Sequence, residues 1–148
     1  MIVLLYPATE DQSYRFYLFK YVNTSWRLVP GVNTYRTLAG IWVSPSGKAY
    51  FGGYGLNKLD GEEFINIYGP ISVTSVYGLD DRDVFFTALK DGGRFYYYNG
   101  RQVYEYEELF NPDVLYTGVW SYGSEVFVSG FTMGGFPNKT IIWHGKLP

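Results

Sequence analysis

The chain repeats itself, and the repeat constrains its fold more than any other property. Aligned on an aromatic residue, three segments correspond: Gly40-Ile41-Trp42-Val43-Ser44, Ser75-Val76-Tyr77-Gly78-Leu79 and Gly118-Val119-Trp120-Ser121-Tyr122, the aromatics recurring after 35 and then 43 residues. Each is followed by a polar turn and a second apolar segment, over 48–53, 83–87 and 125–130. Each third segment runs into a turn with glycine: Lys58-Leu59-Asp60-Gly61, Tyr97-Tyr98-Asn99-Gly100 and Ile142-Trp143-His144-Gly145. A unit of this size cannot bury its own apolar face, so neighbouring units must stack to make a common core.

The clearest unit spans 75–109 and divides by alternation and turn residues into four short strands, a to d. Strand a covers 75–79, closed by Asp80-Asp81-Arg82-Asp83, and strand b covers 84–89, closed by Lys90-Asp91-Gly92-Gly93. The paired glycines permit the positive φ angles of a tight hairpin. Strand c covers 95–98 and leads into Asn99-Gly100, the strongest short hairpin signal in a sequence. In strand d, 102–107, the alternation of Val103, Glu105 and Glu107 with Tyr104 and Tyr106 predicts one wet face and one packed face. The expected unit is a four-stranded antiparallel meander.

With 148 residues, 47% hydrophobic and 21% aromatic, the chain has the content of one globular domain with a real core and not of a disordered segment. Twelve basic and fourteen acidic residues are spread along it, leaving a formal charge of −2 and no basic stripe to displace counterions from a phosphate backbone, so nucleic acid is not an expected partner. There are no cysteines, which removes disulfide, thiolate and Cys-zinc chemistry and leaves the compartment open. The apolar opening Met1-Ile2-Val3-Leu4-Leu5-Tyr6 has no basic residue before it and stops at Pro7, so it reads as a strand rather than a signal peptide or membrane span.

The first forty residues fit the same template without its start: 2–6 as strand b, 7–14 as a long b–c loop, 16–22 as strand c and 25–29 as strand d. At the other end 141–144 matches strand c with no strand d after it. The series b-c-d, a-b-c-d, a-b-c-d, a-b-c resembles a β-propeller, and in particular the loose bacterial WD40-like or YVTN-like blade repeat with an aromatic in strand a, Asn/Asp-Val-aromatic in strand b and Tyr-Asn/Asp-Gly before strand d. Asp83-Val84-Phe85 and Tyr98-Asn99-Gly100 carry that resemblance, with Trp26, Trp42, Trp120 and Gly130 in support. The second unit has Gly47-Lys48-Ala49-Tyr50 in place of the Asp-Val pair, and no Trp-Asp dipeptide occurs.

The resemblance implies an all-β fold, a β-propeller built of four-stranded antiparallel blades and incomplete in one chain. It implies one domain over 1–148, with blades at about 1–30, 37–68, 72–108 and 115–148. A propeller needs about four to eight blades to close. Edges would then be open at 2–6 and 141–144, inviting pairing. Three resolutions stand: adjoining propeller segments of a longer protein, self-association into a homo-oligomeric ring, or a small ring in which the terminal units merge into one distorted blade.

No catalytic constellation is visible. His144 is the only histidine and has no base or ligand partner in its motif, which makes it a turn residue. No nucleophile elbow, phosphate loop or HExxH is present. Asp80, Asp81 and Asp83 lack the ligand spacing, bend glycine and distal glutamate of a calcium loop and read as Asx-turn residues. Glu105 and Glu107 share a face of an outer strand, where solvation explains them better than glycosidase chemistry. No cofactor, no metal and no membrane contact is expected, and the chain reads as a non-enzyme.

Aromatics at strand spacing, such as Phe85, Tyr97, Trp120, Phe127 and Trp143, are expected between sheets. Tyr35, Tyr54, Tyr116, Phe131, Met133 and Phe136 fall in expected b–c and d–a connections, which share one rim of a propeller. As bland packing residues they would tuck against neighbouring blades. As a recognition rim, Tyr35, Tyr54, Tyr116, Phe131 and Phe136 would offer amphipathic area to a sugar or a protein. Three functional classes follow: a non-catalytic binding or scaffolding propeller, a lectin-like propeller that binds glycans through loop aromatics, and a fragment of a larger propeller enzyme or sensor.

Overall fold

The computed structural model describes residues 2–5, 17–29 and 38–147. Its described residues are all-β and antiparallel throughout, with one 3-10 turn at Glu107–Leu109 and no α-helix. The first sheet holds β1 (Ile2–Leu5), β2 (Tyr17–Val22) and β3 (Ser25–Leu28). The second has six strands in sequence order: β4 (Leu38–Val43), β5 (Ala49–Asp60), β6 (Glu63–Asp80), β7 (Asp83–Leu89), β8 (Gly93–Tyr98) and β9 (Val103–Glu105). The third holds β10 (Val114–Tyr122), β11 (Glu125–Thr132) and β12 (Thr140–Lys146). These sheets form no closed barrel or ring among the described residues.

Three hairpins share features of register. The three strand-a aromatics each stand opposite a strand-b aromatic, Trp42 on Tyr50, Tyr77 on Phe85 and Trp120 on Phe127. Each a–b pair also carries a bulge at its far end, where one extra residue interrupts the ladder: Gly40, Thr74 and Thr117. The bulge stands two residues before Trp42 and three before Tyr77 and Trp120, on the same side of the aromatic pair each time, and adds twist to each hairpin there.

Their packing is serial. Leu18 and Val29 of the first sheet bury against Leu38, Ala49, Phe51 and Leu59. The opposite face of β4–β5, with Trp42 and Tyr50, covers Val76, Val84, Phe86, Ala88, Tyr96 and Tyr98. The far face of β7–β8, with Phe85 and Phe95, covers Val114, Tyr116, Val119, Val126 and Val128 of the third sheet. β7 is therefore enclosed on both sides, which is why Val84-Phe85-Phe86-Thr87-Ala88 has no polar alternation. Strands a lie side by side along this series: the ring centroids of Trp42 and Tyr77 are 6.2 Å apart and those of Tyr77 and Trp120 6.4 Å. Thr74 donates to the Tyr116 carbonyl at 2.7 Å, and the Val119 amide donates to Ser75 Oγ at 3.2 Å.

The stretches 37–68 and 72–108 are joined in one sheet. The expected b–c turn near Tyr54 is absent; β5 runs straight through it, pairing at 53–54 with 73–72 and again at 56–60 with 68–63. Glycine makes the crossing possible. Gly55 has φ +85°, and a Cβ there would overlap the Tyr68 carbonyl oxygen, while one on Gly69 would lie 3.1 Å from Gly55 Cα. Buried Asn57 pins the crossing by donating to the Tyr54 and Gly55 carbonyls and accepting from Asn66 Nδ2 at 2.9 Å.

Strand d also differs from expectation. Val103 packs on a buried cluster and Tyr104 is exposed, while Tyr106 packs on the third sheet's cluster. β9 is a short edge strand between two packed layers, so neither of its faces is simply wet. Glu105 is ion-paired with Arg94, whose guanidinium carbon sits 4.3 Å from the Phe110 ring centroid.

Candidate functional site

The strands deliver two clefts to opposite ends of the layered sheets. At the end carrying the β7–β8 turn, a cleft of about 660 Å³ is lined by Tyr54, Pro70, Ile71, Leu89, Lys90 and Thr117 among others. Its floor is made by bulge residues and their neighbours, Ala39, Thr74 and Thr117, so it opens where strands a of three units come together. The walls are mainly apolar, with Lys90 as the one charged lining residue among the described residues. An exposed aromatic beside a single cation and hydroxyl-bearing Ser72 and Thr74 can hold a flat, partly polar molecule.

Of the aromatics expected on a rim, Tyr54 lines this cleft from within β5 and is exposed. Tyr116 is fully buried in β10: its hydroxyl donates to the Leu109 carbonyl at 2.8 Å and accepts from Trp143 Nε1 at 3.0 Å. Burial pushes that phenol up, and the Trp143 bond acts against it. Phe131 lies in β11, half-buried, and Phe136 is almost wholly exposed in the β11–β12 connection with Met133. Tyr35 and the 7–14 loop lie outside the described residues. Strands that begin before their bulges place Tyr116 inside a sheet where turn chemistry alone suggested a connection.

At the opposite end, a polar cleft of about 620 Å³ is lined by Lys48, Tyr50, Lys58, Asp81, Arg82, Tyr98, Asn99 and Arg101. Its centre is Asp81, which accepts from Ser46 at 2.6 Å and from the Tyr50 hydroxyl at 3.2 Å and lies 3.6 Å from Lys48 Nζ. Lys48 also reaches Asp60 at 3.2 Å, which raises its pKa. Partial burial pushes the Asp81 carboxyl up, but the bonds from Ser46, Ser44 and Tyr50 with the Lys48 charge outweigh it, and the group is held below the ordinary range. Tyr50 moves upward through burial and the adjacent Asp81 charge. These residues come from four turns and the strand ends beside them, far apart in sequence, so no local motif announced them.

The other acidic turn residues are partnered within the fold. Asp80 Oδ1 accepts the Arg82 amide at 2.7 Å, an Asx turn, and Asp83 accepts the Tyr97 hydroxyl at 2.8 Å. Burial first, then that bond, pushes Tyr97 up to about 12. His144 stands in β12, its ring stacked on Phe127 at 4.5 Å and its Nε2 3.3 Å from Glu125. No group of three or more His, Asp or Glu able to hold a metal occurs among the described residues.

A pH dependence follows for Asp81. A carboxyl whose folded pKa is depressed adds stability above its ordinary value of about 3.9, and that increment is lost as pH falls through the lower folded value. The melting-temperature difference between the wild type and Asp81→Asn should therefore be largest at neutral pH and shrink below about pH 4. A difference constant from neutral to acid pH would show that the Asp81 charge adds no stability.

The fold and its clefts define a class: an antiparallel all-β domain of packed sheets with open clefts at both strand ends. No family model, curated protein or solved structure matches the chain.

Proposed function

We propose that this chain is a non-catalytic binding or scaffolding β-propeller, its repeats serving as blades around an axis along strands a. What supports the reading is a recurring device: three times an aromatic pair between strands a and b with a bulge two or three residues before it, and twice strand a set beside strand a of the next unit. Serial packing of like hairpins by their innermost strands is what a blade ring requires. The described blades do not close the ring. Further blades complete it, from a second copy of this chain or from adjoining propeller segments.

In this reading the Tyr54 cleft, at the mouth of the strands a, is the ligand site. A lectin-like role is favoured within this class by the exposed Tyr54 ring beside Lys90, because aromatic faces pack on sugar rings while a cation and hydroxyls orient them. The chain should bind a subset of neutral or acidic glycans on an array, and titration of the best of them should weaken by about 2 kcal/mol for Tyr54→Ala and measurably for Lys90→Ala. An array without binders removes the lectin role. Turnover of any substrate that is abolished by replacing one rim carboxylate removes the non-catalytic reading.

A further inference from the structure

The serial packing leaves two end surfaces, and they are halves of an interface the chain already makes internally. On the strand-a face that points down the series, Trp42 with Tyr50 is covered by the next unit, and so is Tyr77 with Phe85. The third such pair, Trp120 with Phe127, is covered by no unit among the described residues. Trp120 is exposed, Tyr122 stacks on it at 6.0 Å and is 74% exposed, and Ile142 on β12 is exposed as well.

The receiving side shows the complementary deficit. Val76 and Val119 sit at equivalent positions of strand a and are buried, 6% and 8% exposed, beneath the unit before them. Their counterpart in β4 is Ile41, which is 36% exposed, with Val43 after it at 48%. Cross-strand pairing of Ile41 with Phe51 and Val43 with Ala49 puts both on the face that receives the first sheet. Among the described residues that sheet supplies β1 to β3 and no strand in the strand-a position, and Ile41 and Val43 stay exposed there. Tyr21, Trp26 and Leu28 are exposed on the other face of the first sheet, away from Leu18 and β4–β5.

We infer that the Trp120–Tyr122–Ile142 face of one molecule docks head-to-tail on the Ile41–Val43 end of a second copy. This rests on the repeat reading above and extends it by naming the faces. A second copy fits because the missing partner of each end is the surface present at the other end, and the contact continues the aromatic row Trp42, Tyr77, Trp120 into the neighbour's Trp42. An isologous contact of two Trp120 faces would leave Ile41 and Val43 bare, whereas the heterologous one covers both ends.

The test is the solution mass by light scattering behind a sizing column, for the wild type, Tyr122→Glu, Val43→Glu and an equimolar mixture of the two variants. Both positions are exposed, and circular dichroism checks that each variant keeps its sheet content. Tyr122→Ser and Val43→Ser provide milder versions. The wild type should form a discrete species of two or more chains. Each charged variant, burying an unpaired charge, should weaken association by a factor on the order of 100 or more. The mixture should recover a two-chain species, because one unaltered face of each kind remains.

A monomeric wild type overturns the inference, as when adjoining segments cover these ends. Association lost in Tyr122→Glu but kept in Val43→Glu overturns it in favour of a symmetric contact. Association unchanged in both variants overturns it as well. Glycan binding through the Tyr54 cleft is read separately on the same samples, so a monomer that still binds would remove the second copy and leave the proposed function standing.

Discussion

Phe86→Ala should destabilise the domain by about 3–5 kcal/mol, a large share of the roughly 5–15 kcal/mol that holds a domain of this size folded. Phe86 is fully buried in β7, its ring stacked on Tyr96 with centroids 4.8 Å apart and tilted against Tyr68 at 6.0 Å. It lies at the contact between β4–β5 and β6–β8, so truncation opens a cavity between two layers that the aromatic rings around it cannot collapse to fill. Chemical denaturation read by tryptophan fluorescence measures the loss, with a fall in melting temperature of roughly 10 °C. Phe136→Ala, at a ring almost wholly in water, should stay within about 0.5 kcal/mol of the wild type. Equal effects at the two positions would mean that the β7 layer contact is not a core.

The second large effect is expected at the crossing of β5 and β6. Gly55→Val places a β-branched side chain at φ +85° with its Cβ overlapping the Tyr68 carbonyl oxygen and 2.8 Å from Asn66 Nδ2. The backbone strain costs about 1–3 kcal/mol and the overlap a further ~1–3 kcal/mol. Relief by backbone movement would pull Asn57 from the carbonyls it holds, leaving a buried amide unpaired. Gly47→Val also sits at positive φ but in open space, and should cost only the backbone share. If Gly55→Val melts no lower than Gly47→Val, the close approach at Tyr68 is not the reason for the glycine.

Short-range chemistry was legible in the sequence. Asn99-Gly100 forms the β8–β9 turn, Asn99 Oδ1 accepting the amides of Arg101 and Gln102 while Gly100 takes φ +86°. Alignment on Trp42, Tyr77 and Trp120 picked out the paired segments of three hairpins, while the residues that stand opposite one another come from the register. The bulges carried no common signal, because glycine stands at 40 where threonine stands at 74 and 117, and a bulge is set by what packs over it. Gly52-Gly53-Tyr54-Gly55 reads as a turn because glycine permits positive φ, yet here the missing side chains serve the approach of two strands. Asp81 and its partners come together only through tertiary packing, as do Tyr54 and Lys90. Tyr116 was placed in a connection because the signal for its strand, Val119-Trp120, begins after the bulge.

The row of Trp42, Tyr77 and Trp120, flanked by Tyr50, Phe127 and Tyr122, also fixes how this protein handles light. Rings at these separations and orientations couple their electronic transitions, and excitation absorbed by the neighbouring tyrosines passes to Trp42 and Trp120, two of the four tryptophans of the chain. Part of the emission of the folded chain therefore comes from a few rings on a single line through the molecule, beside that of Trp26 and Trp143, and its circular dichroism carries an aromatic contribution on top of the backbone signal. Spectra of this domain report on the alignment of these rings as well as on its strands, so a variant that loses one of them, such as Tyr122→Glu, keeps its sheet content when only the ring contribution changes.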